Sequence, residues 1–253
     1  MPRRVCRWRA ALGVLRGNDI VKIALIGAGK MAKAIAPLAE ARGHDITATL
    51  GSADNRDGQG IDLARLGTPD VAIEFTEPAS AVANAIACIR IGLPVVIGTT
   101  GWYERLDEVT AEVQRANGTL FWAPNFSIGI AMLGIIVESG MRAVRHFGHY
   151  DVHITETHHA AKKDRPSGTA ASLAELAARE LGRDVPITSV RVGSVPGTHE
   201  ILIDGAFDQI RLVHETRDRR VFADGAISAA EWLRGRRGVF TMKDLLASGQ
   251  REP

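Results

Sequence analysis

The stretch "VKIALIGAGK", residues 21–30, is a short aliphatic run that ends in glycines, and it sets the rhythm of the first half of the chain. "MAKAIAPLAEARG" follows with apolar residues at helical spacing and closes on Gly43, a usual helix stop. "HDITATLG" reads as a second strand. "DVAIEFTEP" and "LPVVIGTTG" are nearly continuous apolar runs, as expected of strands covered on both faces. Between and after them, "ASAVANAIACIRIG" and "YERLDEVTAEVQRANG" read as helices, the second closing on Gly118. "GTLFWAPNFS" reads as a further strand. Strand and helix alternate to about residue 125, which predicts an α/β fold with a doubly wound parallel sheet.

The period then changes. "IGIAMLGIIVESGMRAV" is a strongly apolar helix, and "YDVHITETHH" alternates as a strand does. A helix is expected from Ala170 to Leu181, with Gly182 as its stop. "ITSVRVG", "HEILIDG", "DQIRLVHE" and "RRVFADG" are short, alternating and bounded by turn residues, so they read as strands of an antiparallel or mixed sheet. "AISAAEWLRG" and "TMKDLLASG" return to helix. The organisation predicted is a nucleotide-type domain over residues 21–125 and an α+β domain with a mixed sheet over 126–228. Helices over 229–253 cross back to the first domain.

Composition narrows the partners. The chain has 253 residues, enough for two modest cores, and a formal net charge of +2, which gives no case for nucleic acid or a membrane surface. No apolar run reaches the roughly 18 residues of a membrane helix. Cys6 and Cys88 make no disulfide framework, which fits a reducing cytoplasm. Residues 1–20 carry Arg3, Arg4, Arg7, Arg9 and Arg16 but lack the apolar core and cleavage site of a secretory signal. They read as an extension without packed structure rather than a targeting or nucleic-acid arm.

Gly27-Ala28-Gly29-Lys30-Met31-Ala32 fits the G-x-G-x-x-G/A dinucleotide fingerprint, directly after a strand and opening a helix. The first glycine allows the tight turn, the second lets a diphosphate approach the backbone, and helix N-terminal amides hold the anion. The ribose-binding acid expected at the end of the second strand is missing. Asp54 is the nearest acid and Arg56 follows it, a composition that leans towards the 2′-phosphate of NADP unless Asp54 serves from a shifted loop. Gly98, Thr99 and Thr100 end one strand and Ala123, Pro124, Asn125 and Phe126 end another. Ligands of open α/β sheets lie beyond such strand ends, so both loops are placed to line a nicotinamide pocket. Each polar residue in them could equally cap the next helix.

"HHAAKKDRPSGTAASLAELAARE", from His158 to Glu180, concentrates the remaining chemistry. Ser167, Gly168 and Thr169 stand at a helix start, where free N–H groups and hydroxyls suit a carboxylate or phosphate. Lys162 and Lys163 add charge from one short loop away. His158 and His159 end the preceding strand on opposite faces, so one can meet the ligand while the other supports it. Zinc is disfavoured because adjacent histidines seldom chelate one ion and no third ligand has suitable spacing. A phosphate-loop NTPase is excluded by the absence of G-x-x-x-x-G-K-[ST].

At these residues the sequence resembles a known family. "ETHHAAKKDRPSGTA" is similar to the E-x-H-H-x-x-K-x-D-x-P-S-G-T-A signature of 4-hydroxy-tetrahydrodipicolinate (dihydrodipicolinate) reductases. "VVIGTTGW", "APNFSIG", "VPGTHEI" and "FADGAISAAEWL" match further blocks in order, from Val21 to about Leu246. The resemblance implies reduction of the unsaturated ring derived from 4-hydroxy-tetrahydrodipicolinate, with NADPH or NADH, in the diaminopimelate route to lysine. It implies a Rossmann-type first domain, a homotetramer built through the second domain's sheet, and closure of one domain on the other. By the same resemblance His158 is the proton donor and Lys162 its cationic partner. His159, Gly168 and Thr169 contact the substrate with Ser167 close by, and Gly98 to Thr100 and Ala123 to Phe126 line the cofactor. The chain departs from the family pattern in its shortened glycine turn, in the missing ribose acid, and in Ser228, where many members carry an arginine. It also lacks an insertion between the second and third strands. These departures bear on cofactor choice. Two rivals remain at this stage: another Rossmann oxidoreductase acting on a small carboxylate, which would need its own nucleophile or base, and a cofactor-sensing protein, which would need no His158 or Lys162.

Overall fold

The computed structural model describes residues 20–248, so the reading of the N-terminal extension, apart from Ile20, lies outside the described residues. The first half builds β1 (Lys22–Ile26), α1 (Lys30–Ala41), β2 (Asp45–Leu50), β3 (Val71–Glu74), α2 (Pro78–Arg90), β4 (Val95–Ile97), α3 (Leu106–Ala116) and β5 (Thr119–Trp122). These strands lie in the order β5-β4-β3-β1-β2, all parallel. Strand alternation sorts the core into two layers. Ile23 and Leu25 pack with Ile35 and Ala39 of α1, whereas Ala24 and Ile26 pack with Ala85 and Ile89 of α2 and Val109 of α3. Both faces are covered, which is why the strands read as unbroken apolar runs. The strand order reverses between β1 and β3, and the crevice beyond their carboxyl ends is where ligands of such sheets bind.

The second half contributes α4 (Ile128–Val144), β6 (Asp151–His158), α5 (Gly168–Leu181), β7 (Ile187–Arg191), β8 (Thr198–Asp204) and β9 (Gln209–Glu215). The sheet order is β7-β6-β8-β9, with β7 parallel to β6 and the other pairs antiparallel. Val152, Ile154, Ile201 and Ile203 face Leu133, Val137, Leu173 and Ala177 of the two helices in a third core.

Three features depart from the sequence reading. "RRVFADG" is not a strand but the first half of α6 (Arg220–Leu233). Its Gly225 reads as a turn, yet it is needed inside the helix, because a Cβ there would lie 1.7 Å from the Phe126 carbonyl oxygen. The helix crosses the backbone that closely. Second, Gly238–Phe240 forms an additional strand, β10, parallel to β5 at the edge of the first sheet, before α7 (Met242–Ser248). Its three residues carry too little pattern to be read as a strand. Third, α3 ends on Asn117 in the left-handed conformation, one residue before the glycine expected to stop it. α6 packs on α1 through Ala223, Ala226, Ile227, Ala230 and Leu233. Arg42 at the end of α1 clamps it, pairing with Asp224 and Glu231 and donating to the Ser228 hydroxyl at 3.2 Å, while His44 lies 2.7 Å from Glu231.

Candidate active site

The glycine turn sits at the strand-order reversal. Gly27 has φ +109° and donates to the Leu50 carbonyl at 2.8 Å, and a Cβ on it would lie 2.1 Å from the Phe75 carbonyl oxygen. Only glycine closes this turn. α1 then starts at Lys30 with Gly29 as its N-cap, no side chain capping it and no acid in its first turn. Its free N–H groups are therefore open to an anion. Gly29, Lys30, Met31, Phe75, Thr76, Pro78, Gly98, Thr99 and Thr100 line one cleft of about 390 Å³. The fold thus brings the glycine turn and the Gly98–Thr100 loop together, and the residues fit a diphosphate-bearing nucleotide.

Within that cleft the two threonines differ. Thr99 is buried, and its hydroxyl accepts the Thr76 N–H at 2.7 Å. Thr100 is exposed. Beneath them lies Glu74, fully buried and bonded by Thr76 and by Asn84 at 3.2 Å. Burial raises its pKa against the hydrogen bonds of Thr76, Thr99 and Asn84. After the end of β2, Asp54 turns to Arg65 at 3.6 Å, while Lys30 lines the nucleotide cleft.

In the loop after β5, Ala123 and Phe126 are buried in the core, with the Phe126 ring against Phe75 and Phe121. Pro124 is exposed. Asn125 is committed at both ends: its carbonyl accepts the Ser127 N–H at 2.8 Å, and its amide donates to the Thr169 hydroxyl at 3.0 Å. That second bond joins the predicted cofactor loop to the predicted substrate loop.

The HH-K-PSGT block is organised by strand register. Glu156 and His158 lie two apart on β6, so both face the helices. His158 Nδ1 bonds one carboxylate oxygen of Glu156. The other oxygen takes Arg191 Nη2 at 2.7 Å and the Ser167 N–H at 3.3 Å. Arg191 is the β7 register partner of His158, and His199 on β8 is the partner of Glu156. The His158 and His199 rings meet edge to face at 5.2 Å. Burial alone would raise the Glu156 pKa, but hydrogen bonds from Arg191, Ser189 and His158 hold it down to about 2. Burial lowers the His158 pKa and the Glu156 carboxylate opposes that, while the charges of Lys162 and Arg191 add to it. With Nδ1 held by a carboxylate, Nε2 is the atom free to exchange a proton.

The remaining block residues take distinct positions. Ser167 is buried and caps α5, accepting the Ala170 N–H at 3.2 Å, and its Oγ lies 3.3 Å from His199 Nε2. Gly168 and Thr169 form the open first turn of that helix. Lys162 extends to Asp164 at 2.8 Å. His159 lies apart from His158, in a second cleft of about 470 Å³ that it shares with Gly193, Pro196, Arg217 and Arg219. Lys162 and Thr169 are not among the residues lining that cleft. Sequence reasoning assigned no role to Glu156, Arg191, His199 or His214. Glu156 was legible from its spacing to His158 on a strand, whereas the other three enter through cross-strand register, which one sequence does not reveal. Among the described residues no cluster of three or more His, Cys, Asp or Glu could hold a metal ion, and no helix is long and apolar enough to cross a membrane.

Comparison with known proteins settles the lineage. Residues 21–126 match the family model for the dihydrodipicolinate reductase N-terminus, and residues 129–246 match that for its C-terminus. The chain belongs to the dihydrodipicolinate reductase family. The 4-hydroxy-tetrahydrodipicolinate reductase of Christiangramia forsetii is 32% identical over 240 residues, covering 90% of this chain and 98% of the relative. That of Methanoculleus marisnigri is 36% identical over 194 residues, covering 70% and 76%. Among solved structures, a dipicolinate-bound dihydrodipicolinate reductase from Paenisporosarcina sp. TG-14 superposes with a TM-score of 0.74 at 22% identity, covering 88% of this chain and 98% of that one. An amine dehydrogenase from Mycobacterium smegmatis superposes at 0.55 with 10% identity, covering 88% and 95%, a likeness of fold alone. Members of the dihydrodipicolinate reductase family are NAD(P)H-dependent oxidoreductases of lysine and diaminopimelate biosynthesis. The chain is such an enzyme, and the reading as an unrelated Rossmann oxidoreductase is not favoured.

Proposed function

We propose that His158 is the proton donor of the reduction and that Lys162 and the first turn of α5 hold the dicarboxylate ring. The observation that carries this reading is the Glu156–His158 pair, buried at the end of β6 and joined through the Ser167 N–H to the start of α5. The bound cofactor, NADPH or NADH, supplies hydride to a ring carbon. Negative charge that develops on the conjugated nitrogen is neutralised by the proton on His158 Nε2, while Glu156 stabilises the imidazolium through Nδ1. Gly168, Thr169 and the free N–H groups of α5 take one carboxylate, Lys162 adds charge, and His159 contacts the ring from the neighbouring cleft. Ser167 acts from behind, since its hydroxyl already caps the helix.

Gly27, Ala28, Gly29, Lys30 and Met31 would hold the cofactor's diphosphate, and Gly98 to Thr100 with Ala123 to Phe126 would line the nicotinamide pocket. Asn125 serves there as a bridge to Thr169 rather than as a free hydrogen-bonding group. NADPH is used at least as well as NADH, because Asp54 is drawn to Arg65 while Lys30 and Arg56 remain for a 2′-phosphate. The enzyme works in the cytoplasm as a homotetramer assembled through the β7-β6-β8-β9 sheet, whose face opposite α4 and α5 carries Val190, Leu202 and Val213. The test is oxidation of NADPH on adding freshly made 4-hydroxy-tetrahydrodipicolinate, with His158→Gln as the decisive variant. Its turnover should fall on the order of a hundredfold, typical of a lost general acid, with substrate affinity changing less. Near wild-type turnover in a folded variant would transfer the role to His159.

A further inference from the structure

Two helices begin at the loops just described, and each is capped by a serine. Ser127 follows the Ala123–Phe126 loop and starts α4, its Oγ accepting the Ile130 N–H at 3.2 Å. Ser167 sits in the Pro-Ser-Gly-Thr loop and starts α5 in the same way. Both serines are almost completely buried. Each has spent a lone pair on its cap, and each Oγ faces one imidazole: Ser127 Oγ lies 3.3 Å from His214 Nε2, and Ser167 Oγ lies 3.3 Å from His199 Nε2. His199 and His214 are direct register partners on β8 and β9, so the two rings stand side by side on the sheet face that carries the helices.

We infer that His199 and His214 are positioning residues, each setting one ligand loop through the serine that caps the helix behind it. His199 orients the substrate loop through Ser167, and His214 orients the cofactor loop through Ser127. The rigid spacing of neighbouring strands then fixes one loop relative to the other, and the Asn125–Thr169 hydrogen bond closes the frame on the ligand side. The form that suits this frame is the neutral imidazole, with Nε2 accepting the serine proton. Their surroundings favour that form. Burial, and then the charges of His158 and His214, holds the His199 pKa down to about 4, and burial lowers that of His214. Among the described residues both Nδ1 atoms are buried without a hydrogen-bond partner in reach, and Nε2 of each ring faces its serine.

The inference rests on the proposed assignment of the Pro-Ser-Gly-Thr loop to substrate and the Ala-Pro-Asn-Phe loop to cofactor, and its test separates the two ligands. Asparagine places its amide near the position of Nδ1 and loses the serine, whereas glutamine reaches the position of Nε2 and can keep it. Dipicolinate affinity by calorimetry and NADPH affinity by fluorescence titration are measured on the full chain. Loss of a neutral hydrogen bond worth about 0.5–1.5 kcal/mol corresponds to a roughly two- to twelvefold change in affinity. His199→Asn should weaken dipicolinate by that factor and leave NADPH unchanged, and His214→Asn should do the reverse. The corresponding glutamine variants should recover most of each loss, which a merely structural defect would not show. Should the asparagine variants fail to fold, Ser167→Ala and Ser127→Ala give the same split. Equal losses for both ligands in each variant, or no loss in any folded variant, overturn the inference while leaving the functional reading intact. A wild-type protein that binds neither ligand overturns both.

Discussion

Glu156 is the position where stability and chemistry are most tightly joined. It is fully buried between His158 and Arg191, whose side chain is 2% exposed. Glu156→Gln keeps the size and one acceptor but removes the charge. The carboxyl's pKa drops from 4.5 to about 2, and at about 1.36 kcal/mol per pH unit that gap is ~3 kcal/mol in favour of the charged form. Removing one partner of a buried ion pair costs a similar ~3–5 kcal/mol by precedent, because the other charge is stranded. At roughly 2–4 °C per kcal/mol for a chain of this size, a melting temperature lower by about 6–12 °C is expected at pH 7. The sign with pH is fixed by the depressed pKa. The Glu156 contribution is present above pH 4.5 and lost as pH falls through about 2, so wild-type and variant melting curves should converge over that interval.

The kinetic consequence is separate. A hydrogen bond to a charged partner is worth ~1.5–3 kcal/mol, which is a roughly 10–150-fold loss in turnover if it acts in the transition state. Glu156 also opposes the burial that lowers the His158 pKa, so its removal lowers that pKa further. A proton donor loses activity as pH rises through its pKa. The alkaline fall of kcat/KM, which reports the free enzyme, should therefore move to lower pH in the variant. Melting by circular dichroism and steady-state rates across pH make both measurements. A folded variant with wild-type turnover and an unmoved alkaline limb would refute the role of Glu156 as the partner of the acid.

On the proposed role of Lys162, Lys162→Ala should reduce turnover and raise KM for the dicarboxylate together, because the charge assigned to hold the substrate is removed; unchanged KM would refute this. Thr169→Val should weaken dipicolinate in calorimetry and leave NADPH titration unchanged, and a loss confined to NADPH would reverse the assignment of the loops. Arg56→Glu, paired with Lys30→Glu, should lower kcat/KM for NADPH more than for NADH, and equal losses would show that neither cation meets the 2′-phosphate.

How much of this was legible in the sequence depends on the range of the contacts. The parallel sheet of the first half was readable because its strands are covered on both faces and its helices have local signals: Gly27 for the turn and Gly43 for the end of α1. Gly182 marked the end of α5 equally well, whereas the start, read at Ala170, lies two residues earlier at Gly168, with Ser167 as its cap. α6 was misread over its first half because the reason for Gly225 lies at Phe126, a contact the local pattern does not contain. β10 was missed because three residues at a sheet edge carry no period of their own. The residues proposed to meet the substrate, His158, Lys162 and Thr169, sit in one contiguous block of the sequence.

Apart from Glu156, the support for that block was not legible, and the reason is geometric. Each supporting group reaches the block by pairing between strands: Arg191 stands beside His158, His199 opposite Glu156, and His214 opposite His199. A register slip of one residue on β8 would turn His199 to the open face and bring its neighbour to Glu156. The polar frame is therefore only as well specified as the register. That register is enforced by apolar residues on the same face, Ile201 and Ile203 on β8 against Ile154 and Val152 on β6. Exposing either isoleucine by such a slip would cost about 1.5–3 kcal/mol of burial, comparable with the hydrogen bonds the histidines make. The apolar core of the second sheet thus does more than hold α4 and α5 in place. It aligns the strands whose polar ends set His158, the start of α5 and the Ala123–Phe126 loop relative to one another, so on the proposed roles of these groups core variants at Ile201 or Ile203 should impair ligand binding before they abolish folding. Ile201→Ala at a temperature well below its melting point is the direct case: weakened dipicolinate binding in a protein with native circular dichroism is expected, and native affinity in that protein would show that register is set elsewhere.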